Sequence, residues 1–282
     1  VAGPAGIVRP ARRPAGWSAP GPRPPAPPAG LGPRAGEDLC YLAGEWRILQ
    51  RLDGHRWSLD DLVTAWVAAG VARECAARSV LDLGCGIGAV LLLLAWRLPA
   101  ARVLGIEAQA VSVDLARRSI AWNDVSARCA VVHGDLRDPA TLGAGAAFDL
   151  VAGTPPYLRP GAATASSCVQ RGPCHLEYRG GIEAYWAAAG RWLASHGAFV
   201  SCAGATQAER VVPAAAAAGL AVERRLDVVP RAGKRPLFSV YTLRRAPGAS
   251  GAVVETTLVV RDAAGRRTRE FRAVRRDMGM PP

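Results

Sequence analysis

Downstream of Arg78 the chain alternates short, nearly continuous apolar runs with longer stretches in which apolar residues recur every three or four positions. The runs 79–83, 102–107, 128–132, 148–152, 198–202 and 220–228 read as strands, with a last one at 237–243. Helical stretches, such as 109–122 and 181–195, fall between them. This alternation predicts an α/β fold around a mostly parallel sheet with helices on both faces. The segment 229–236 is too short for a crossover helix, so the last two strands should form a hairpin. The expected architecture is a seven-stranded sheet with an antiparallel last strand.

The flanks have different patterns. From Glu37 apolar and polar positions alternate around Trp46 and Ile48, and Asp53-Gly54 followed by Trp57 signals a short hairpin. Ser58 then caps a helix with Leu62, Trp66, Val67 and Val71 at helical spacing; Asp60 and Asp61 lie in its first turn, where the helix dipole favours acids. Residues 1–36 are rich in Pro, Gly, Ala and Arg without a hydrophobic period, which predicts a disordered tail. At the other end, 253–260 and 268–274 flank Asp262-Ala263-Ala264-Gly265 and predict a second hairpin. The expected organisation is a tail at 1–36, a lead-in hairpin and helix at 37–78, a main domain at 79–247 and a basic hairpin extension at 248–282.

Composition narrows the class. The chain has 282 residues, half of them apolar, enough for a sizeable core. Its longest aliphatic stretch, 89–96, is less than half of the roughly 20 residues a bilayer-spanning helix needs, so a soluble protein is expected and no membrane partner. Seven scattered cysteines argue for reduced thiols and an intracellular, cytoplasmic setting. The acid-free, Arg-rich start leaves organellar import open. Of the net charge of +12, residues 1–36 hold +5 and residues 251–282 hold +3, as suits arms that meet a polyphosphate. An arginine-biased composition, with Lys234 the only lysine, competes as an explanation.

The first strand runs into Leu83-Gly84-Cys85-Gly86-Ile87-Gly88-Ala89, a glycine-rich turn that opens an apolar helix and lets the backbone approach a ligand. Gly84, Gly86 and Ala89 also satisfy the dinucleotide pattern G-x-G-x-x-G/A, but no nicotinamide-side motif accompanies them. The acids discriminate. Asp82, just before the glycines, suits a cationic amino-acid moiety better than a pyrophosphate; Glu107, at the end of the second strand, suits a ribose diol. Asp135, in His133-Gly134-Asp135-Leu136 after the third strand, can accept from an adenine amine. Three acids at three successive strand ends resemble the S-adenosyl-L-methionine site of class I methyltransferases. The resemblance implies cofactor contacts at Asp82, Gly84, Gly86, Gly88, Glu107, Asp135 and Leu136.

At the end of the fourth strand stands Gly153-Thr154-Pro155-Pro156-Tyr157. Two prolines after a buried strand fix the backbone and remove two donors, and the tyrosine offers a flat ring for a planar group. The segment resembles the Asn/Asp-Pro-Pro-Tyr motif of methyltransferases acting on adenine N6, guanine N2 or a glutamine amide. By that resemblance Thr154 and the Pro155 carbonyl accept the amine hydrogens, Pro156 stiffens the turn and Tyr157 stacks on the acceptor. Position 154 departs from the pattern, because a threonine hydroxyl has less reach than an asparagine amide.

Further stretches, 48–60, 177–185 and 230–238, are similar to the bacterial valine-tRNA adenine-N6 methyltransferases. The resemblance implies methylation of an adenine amine in tRNA or another structured RNA. A glutamine methyltransferase acting on a protein such as a release factor is the alternative, and a catalytically weak RNA-binding protein of the same fold is a third reading. In the expected topology the loop after strand six emerges on the cofactor edge, so Arg231, Lys234 and Arg235 would rim the site, joined by Arg159 and Arg179. Cys168 and Cys174-His175 do not have a usual zinc spacing, and no metal is expected.

Overall fold

The computed structural model describes residues 6–10, 13–159, 161, 170–246 and 251–282. The chain forms β1 (Ile7–Val8), β2 (Glu37–Ala43), β3 (Trp46–Arg51), α1 (Leu59–Glu74), β4 (Ser79–Leu83), α2 (Ala89–Arg97), β5 (Arg102–Glu107) and α3 (Ala110–Trp122). It continues with β6 (Cys129–His133), β7 (Phe148–Gly153), α4 (Arg171–His175), α5 (Ile182–Trp192), β8 (Leu193–Gly204) and α6 (Ala208–Ala217). The last elements are β9 (Leu220–Val229), β10 (Phe238–Arg245), β11 (Val254–Val259) and α7 (Arg269–Asp277). No helix of the described residues is long and apolar enough to cross a membrane.

The main sheet has the order β11-β9-β10-β8-β7-β4-β5-β6. Neighbours pair in parallel except β10, which is antiparallel to both β8 and β9, as the short 229–236 connection requires. Strand periodicity divides the core between the two faces. Val80, Leu150, Ala152, Val200 and Cys202 join a cluster with α1, α2, α3 and α7, whereas Leu81, Leu83, Val151 and Phe199 pack with α5 and α6. Asp82 shares the face of Val80, so its carboxylate enters the first cluster.

Four expectations change. The sheet has eight strands, because β11 extends it beyond β9, in parallel and in register from Val254↔Arg224 to Val259↔Val229. The other arm of the expected terminal hairpin is the helix α7: Thr268 accepts from Phe271 N at 3.1 Å as N-cap, and Phe271, Val274 and Met278 are buried at helical spacing. The lead-in hairpin reverses at Gly44, whose φ of +55° suits glycine, and pairs Leu39 with Leu49; Asp53-Gly54 instead bends the chain toward α1. The described part of residues 1–36 is anchored. Ile7 and Val8 pair with Asp38 and Leu39, Arg9 reaches the fully buried Asp38 at 2.8 Å, and Arg13 forks onto Glu45 at 3.0 and 2.8 Å. Arginine pairing with hairpin acids does here what a hydrophobic period does elsewhere.

One polar tie fixes the register of the site strands. Asp149 at the start of β7 accepts from Arg78 N, Ser79 N and Ser79 Oγ, each at 2.9 Å, which holds its carboxyl down at about 2. A carboxyl lowered by folding stabilises the fold once ionised, so this contribution is complete above the ordinary carboxylate value of about 4 and is lost as pH falls toward 2. Asp149→Ala is expected to destabilise the fold by about 2–3 kcal/mol in urea unfolding at pH 7, with the difference shrinking below pH 3. Equal midpoints at pH 7 would refute this tie.

Candidate active site

The carboxyl ends of β4, β5, β6 and β7 open into one cavity of about 440 Å³. Open parallel sheets bind ligands at this edge. The glycine turn forms its floor: Gly84, Gly86 and Gly88 all have positive φ, at +57°, +54° and +88°. A Cβ on Gly84 would strike the Tyr185 hydroxyl, 2.1 Å away, whereas one on Gly86 would meet nothing within 4 Å. Gly84 therefore gives way to Tyr185 and Gly86 keeps the turn open. Gly88 does not line the cavity; it leads into α2 and abuts Ala116.

The three acids differ. Glu107 is held on the cavity wall by two amides, Gly86 N at 2.9 Å and Gln109 N at 2.7 Å, while burial pushes its carboxyl upward. Asp82 is 1 % exposed and lies behind the wall, and its Oδ2 has no partner among the described residues. Burial and the nearby Asp61 raise its carboxyl well above the usual range. Asp135 and the buried Leu136 line the cavity, but Asp135 is already forked by Arg137 at 2.9 and 2.6 Å, and Arg179 stands 3.9 Å away. Those arginines draw its carboxyl down.

On the neighbouring strand end, after the paired Leu83 and Gly153, Thr154, Pro155, Pro156 and Tyr157 all line the cavity. Tyr157 lies against Gly204, where a Cβ would come within 3.2 Å of the ring, and its hydroxyl donates to Cys202 Sγ at 3.1 Å. Its ring is thus held from behind. Gln207 Nε2 donates to the Pro156 carbonyl at 3.3 Å and fixes the second proline. Leu237 and Phe238 close one side, and His55 and His175, edge to face at 5.5 Å, line another part.

Asp61, legible in the sequence only as a first-turn acid of α1, also lines the cavity. Its Oδ2 accepts Ser58 N at 2.9 Å, which completes a capping box, and its Oδ1 lies 3.5 Å from Thr154 Oγ1. Burial, assisted by Asp60, pushes its carboxyl up to about 8. The Ser58-x-x-Asp61 spacing was legible as a cap, but not the fact that this helix start faces a motif 93 residues further on.

Of the expected rim cations, only Arg179 lines the cavity. Arg159 is exposed just past Leu158. Arg231, Lys234 and Arg235 are exposed in the turn that leads into Leu237 and Phe238, and no ion pair holds them among the described residues. The turn after β11 stands beside them, with Ala232 N donating to Arg261 O at 2.8 Å. Cys168 lies outside the described residues, and no group of three or more His, Cys, Asp or Glu placed to hold a metal ion occurs among the described ones.

Residues 61–186 match the family model of the methyltransferase small domain. A release factor glutamine methyltransferase of Caulobacter vibrioides is 43 % identical over 86 residues, 30 % of this chain and 28 % of that protein. A tRNA1(Val) (adenine(37)-N6)-methyltransferase of Porphyromonas gingivalis is 34 % identical over 104 residues, 35 % of this chain and 39 % of that protein. The chain thus spans less than two fifths of the length of these curated relatives. The crystal structure of a predicted O-methyltransferase from Agrobacterium tumefaciens superposes with a TM-score of 0.59 at 20 % identity, over 79 % of this chain and 98 % of that one. The fold is that of the class I methyltransferases.

Proposed function

We propose that this chain, whose residues 61–186 carry the methyltransferase small domain, is an S-adenosyl-L-methionine-dependent N-methyltransferase that acts on the N6 amine of an adenine in tRNA or another structured RNA. The observation that carries the reading is the meeting of two motifs in one cavity: the glycine turn after β4 with Glu107 after β5, and Thr154-Pro155-Pro156-Tyr157 after β7, the strand paired with β4.

The residues present fit the cofactor. Gly86 leaves open the space a Cβ would take, Glu107 is aligned by two amides to accept a diol, and the buried, unpartnered Asp82 oxygen behind the turn is a group that an amino-acid cation would draw into its charged form. When bound, the cofactor supplies an electrophilic methyl group on a sulfonium. The chain's contribution is alignment: Tyr157 presents a fixed ring to a planar acceptor, and Thr154 and the Pro155 carbonyl accept its N–H groups, so that the nitrogen lone pair points along the transfer axis. Asp135 and Leu136, also on the cavity wall, would hold the cofactor's adenine, with the charge of Asp135 shared with Arg137 and Arg179.

RNA is favoured by the exposed cations Arg231, Lys234 and Arg235, close in sequence to the cavity-lining Leu237 and Phe238, by Arg179 on the cavity wall and by the exposed Arg159 next to the cavity-lining Leu158. The 43 % identity of an 86-residue segment to a release factor glutamine methyltransferase supports a second reading, a protein glutamine acceptor. A cytoplasmic location, with substrate taken from solution, belongs to the same proposal.

The test is transfer of a radiolabelled methyl group to bulk unmodified tRNA, with release factor in a parallel tube, followed by nucleoside analysis. Label in N6-methyladenosine is the expected result. Label in release factor alone would replace the RNA reading with the glutamine one, and label in neither, with the cofactor bound, would leave a catalytically weak binding protein.

A further inference from the structure

The acceptor motif departs from the Asn/Asp pattern at its first position, and the structure offers a compensation. An asparagine side chain carries its acceptor oxygen one bond further from the backbone than the Thr154 hydroxyl does. The first turn of α1 closes that difference. Asp61, 6 % exposed and on the cavity wall, directs Oδ1 to Thr154 Oγ1 at 3.5 Å while Ser58 N anchors Oδ2 at 2.9 Å. A hydroxyl that donates to a carboxylate has its lone pairs left to accept from a third group.

We propose that Asp61 and Thr154 act as one unit in place of the motif's asparagine: Asp61 orients the Thr154 hydroxyl to accept an N–H of the acceptor amine, and takes up the proton that the methylated nitrogen sheds. The inference rests on the methyl-transfer reading and deepens it. The nitrogen lone pair forms the N–C bond as the C–S bond breaks and its electron pair returns to sulfur. One N–H proton of the resulting cationic nitrogen passes to the Thr154 hydroxyl while the hydroxyl's own proton passes to Asp61 Oδ1. The products are an N-methylated amine, a neutral thioether and a neutral carboxyl group.

The surroundings suit a proton acceptor working near neutrality. Asp60 on the same turn, Asp82 from β4, Cys202 from β8, and Tyr157, which reaches both Cys202 and Asp60, are the titratable groups around Asp61. No Arg or Lys pairs with it among the described residues, so burial and Asp60 bring its carboxyl up to about 8. It therefore changes charge where the reaction runs. Asp61 acts through Thr154 and is a positioning residue.

The decisive variant is Asp61→Asn, which keeps an oxygen for Ser58 N and so preserves the cap. Transfer is expected to fall at least about tenfold, and the rise of rate with pH toward about 8 to flatten, with S-adenosylhomocysteine affinity within about twofold of the unsubstituted protein. Adding Thr154→Asn to that variant should restore the rate to within about threefold, because the amide spans the distance alone. A second readout needs no acceptor: in carbon-13 NMR of aspartate carboxyls, the resonance missing from Asp61→Asn should titrate well above the carboxylate range and move higher in Thr154→Val, which removes a hydrogen bond to the charged form. The proposal is overturned by an Asp61→Asn variant with unchanged rate and pH profile. It is equally overturned by an Asp61 resonance that titrates in the ordinary range and ignores Thr154→Val. Failure of the unsubstituted protein to bind S-adenosylhomocysteine, or to label either acceptor, counts against the proposed function, and the carboxyl titration still decides the pairing.

Discussion

Glu107→Ala is expected to weaken S-adenosylhomocysteine binding by about a hundredfold, whereas Tyr157→Ala is expected to abolish methyl transfer and leave that affinity within about threefold. The two side chains line one cavity from different strand ends, Glu107 after β5 and Tyr157 after β7, with β4 between them. Glu107 has each oxygen aimed by a backbone amide, so it would meet a ribose diol already oriented; hydrogen bonds to a charged group contribute about 1.5–3 kcal/mol, which sets the size of the expected loss. Glu107→Gln keeps an oxygen for one of the amides and removes the charge, and should fall between. Tyr157 contributes its ring. Its hydroxyl is turned away to Cys202 and its ring rests on Gly204, so Tyr157→Phe should keep most of the activity that Tyr157→Ala removes. Calorimetry for affinity and a radiolabel assay for transfer separate the two roles. Equal loss of both quantities in Tyr157→Ala, with an unchanged melting temperature, would mean that the ring supports the cofactor side and that the division drawn here is wrong.

What could be read from sequence follows from the range of the forces involved. The parallel strands were legible to within a few residues at most ends because burial on both faces makes each a short apolar run between turn signals. The glycine turn and Thr154-Pro155-Pro156-Tyr157 were legible because their backbone demands are local. The errors fall where a distant partner decides. Arg9 and Arg13 need Asp38 and Glu45 to hold the early chain in place, and a window over residues 1–36 contains neither acid. Thr268 to Val274 has the β-branched ends of a strand, yet Phe271, Val274 and Met278 bury one helical face, in the cluster that also holds α1. Asp61 belongs with these cases. Its spacing from Ser58 announces a helix cap, and only the packing of α1 over β7 and β8 makes it a neighbour of Thr154.

The basic rim leads to the second large effect. Replacing Arg231, Lys234 and Arg235 together by alanine is expected to lower tRNA affinity by one to two orders of magnitude at about 0.1 M salt, and to reduce the slope of log affinity against log salt by about two to three. The direction follows from topology. β9 and β11 are parallel and end in register at Val229 and Val259, so the turns that follow them leave the same edge of the sheet as the glycine turn after β4. Arg231 and Arg261 are thereby brought together, with Ala232 N on Arg261 O, and Arg235 is two residues from the cavity-lining Leu237. An eighth strand is then more than an added edge: it sets a second arginine-bearing turn beside the first. Cofactor affinity and melting temperature should not change in the triple variant, since its side chains are exposed and outside the cavity wall. An unchanged salt slope would remove the rim from the RNA path. If release factor proved to be the acceptor, the same three charges would act by steering rather than by counterion release, and their loss would slow association with a much shallower dependence on salt.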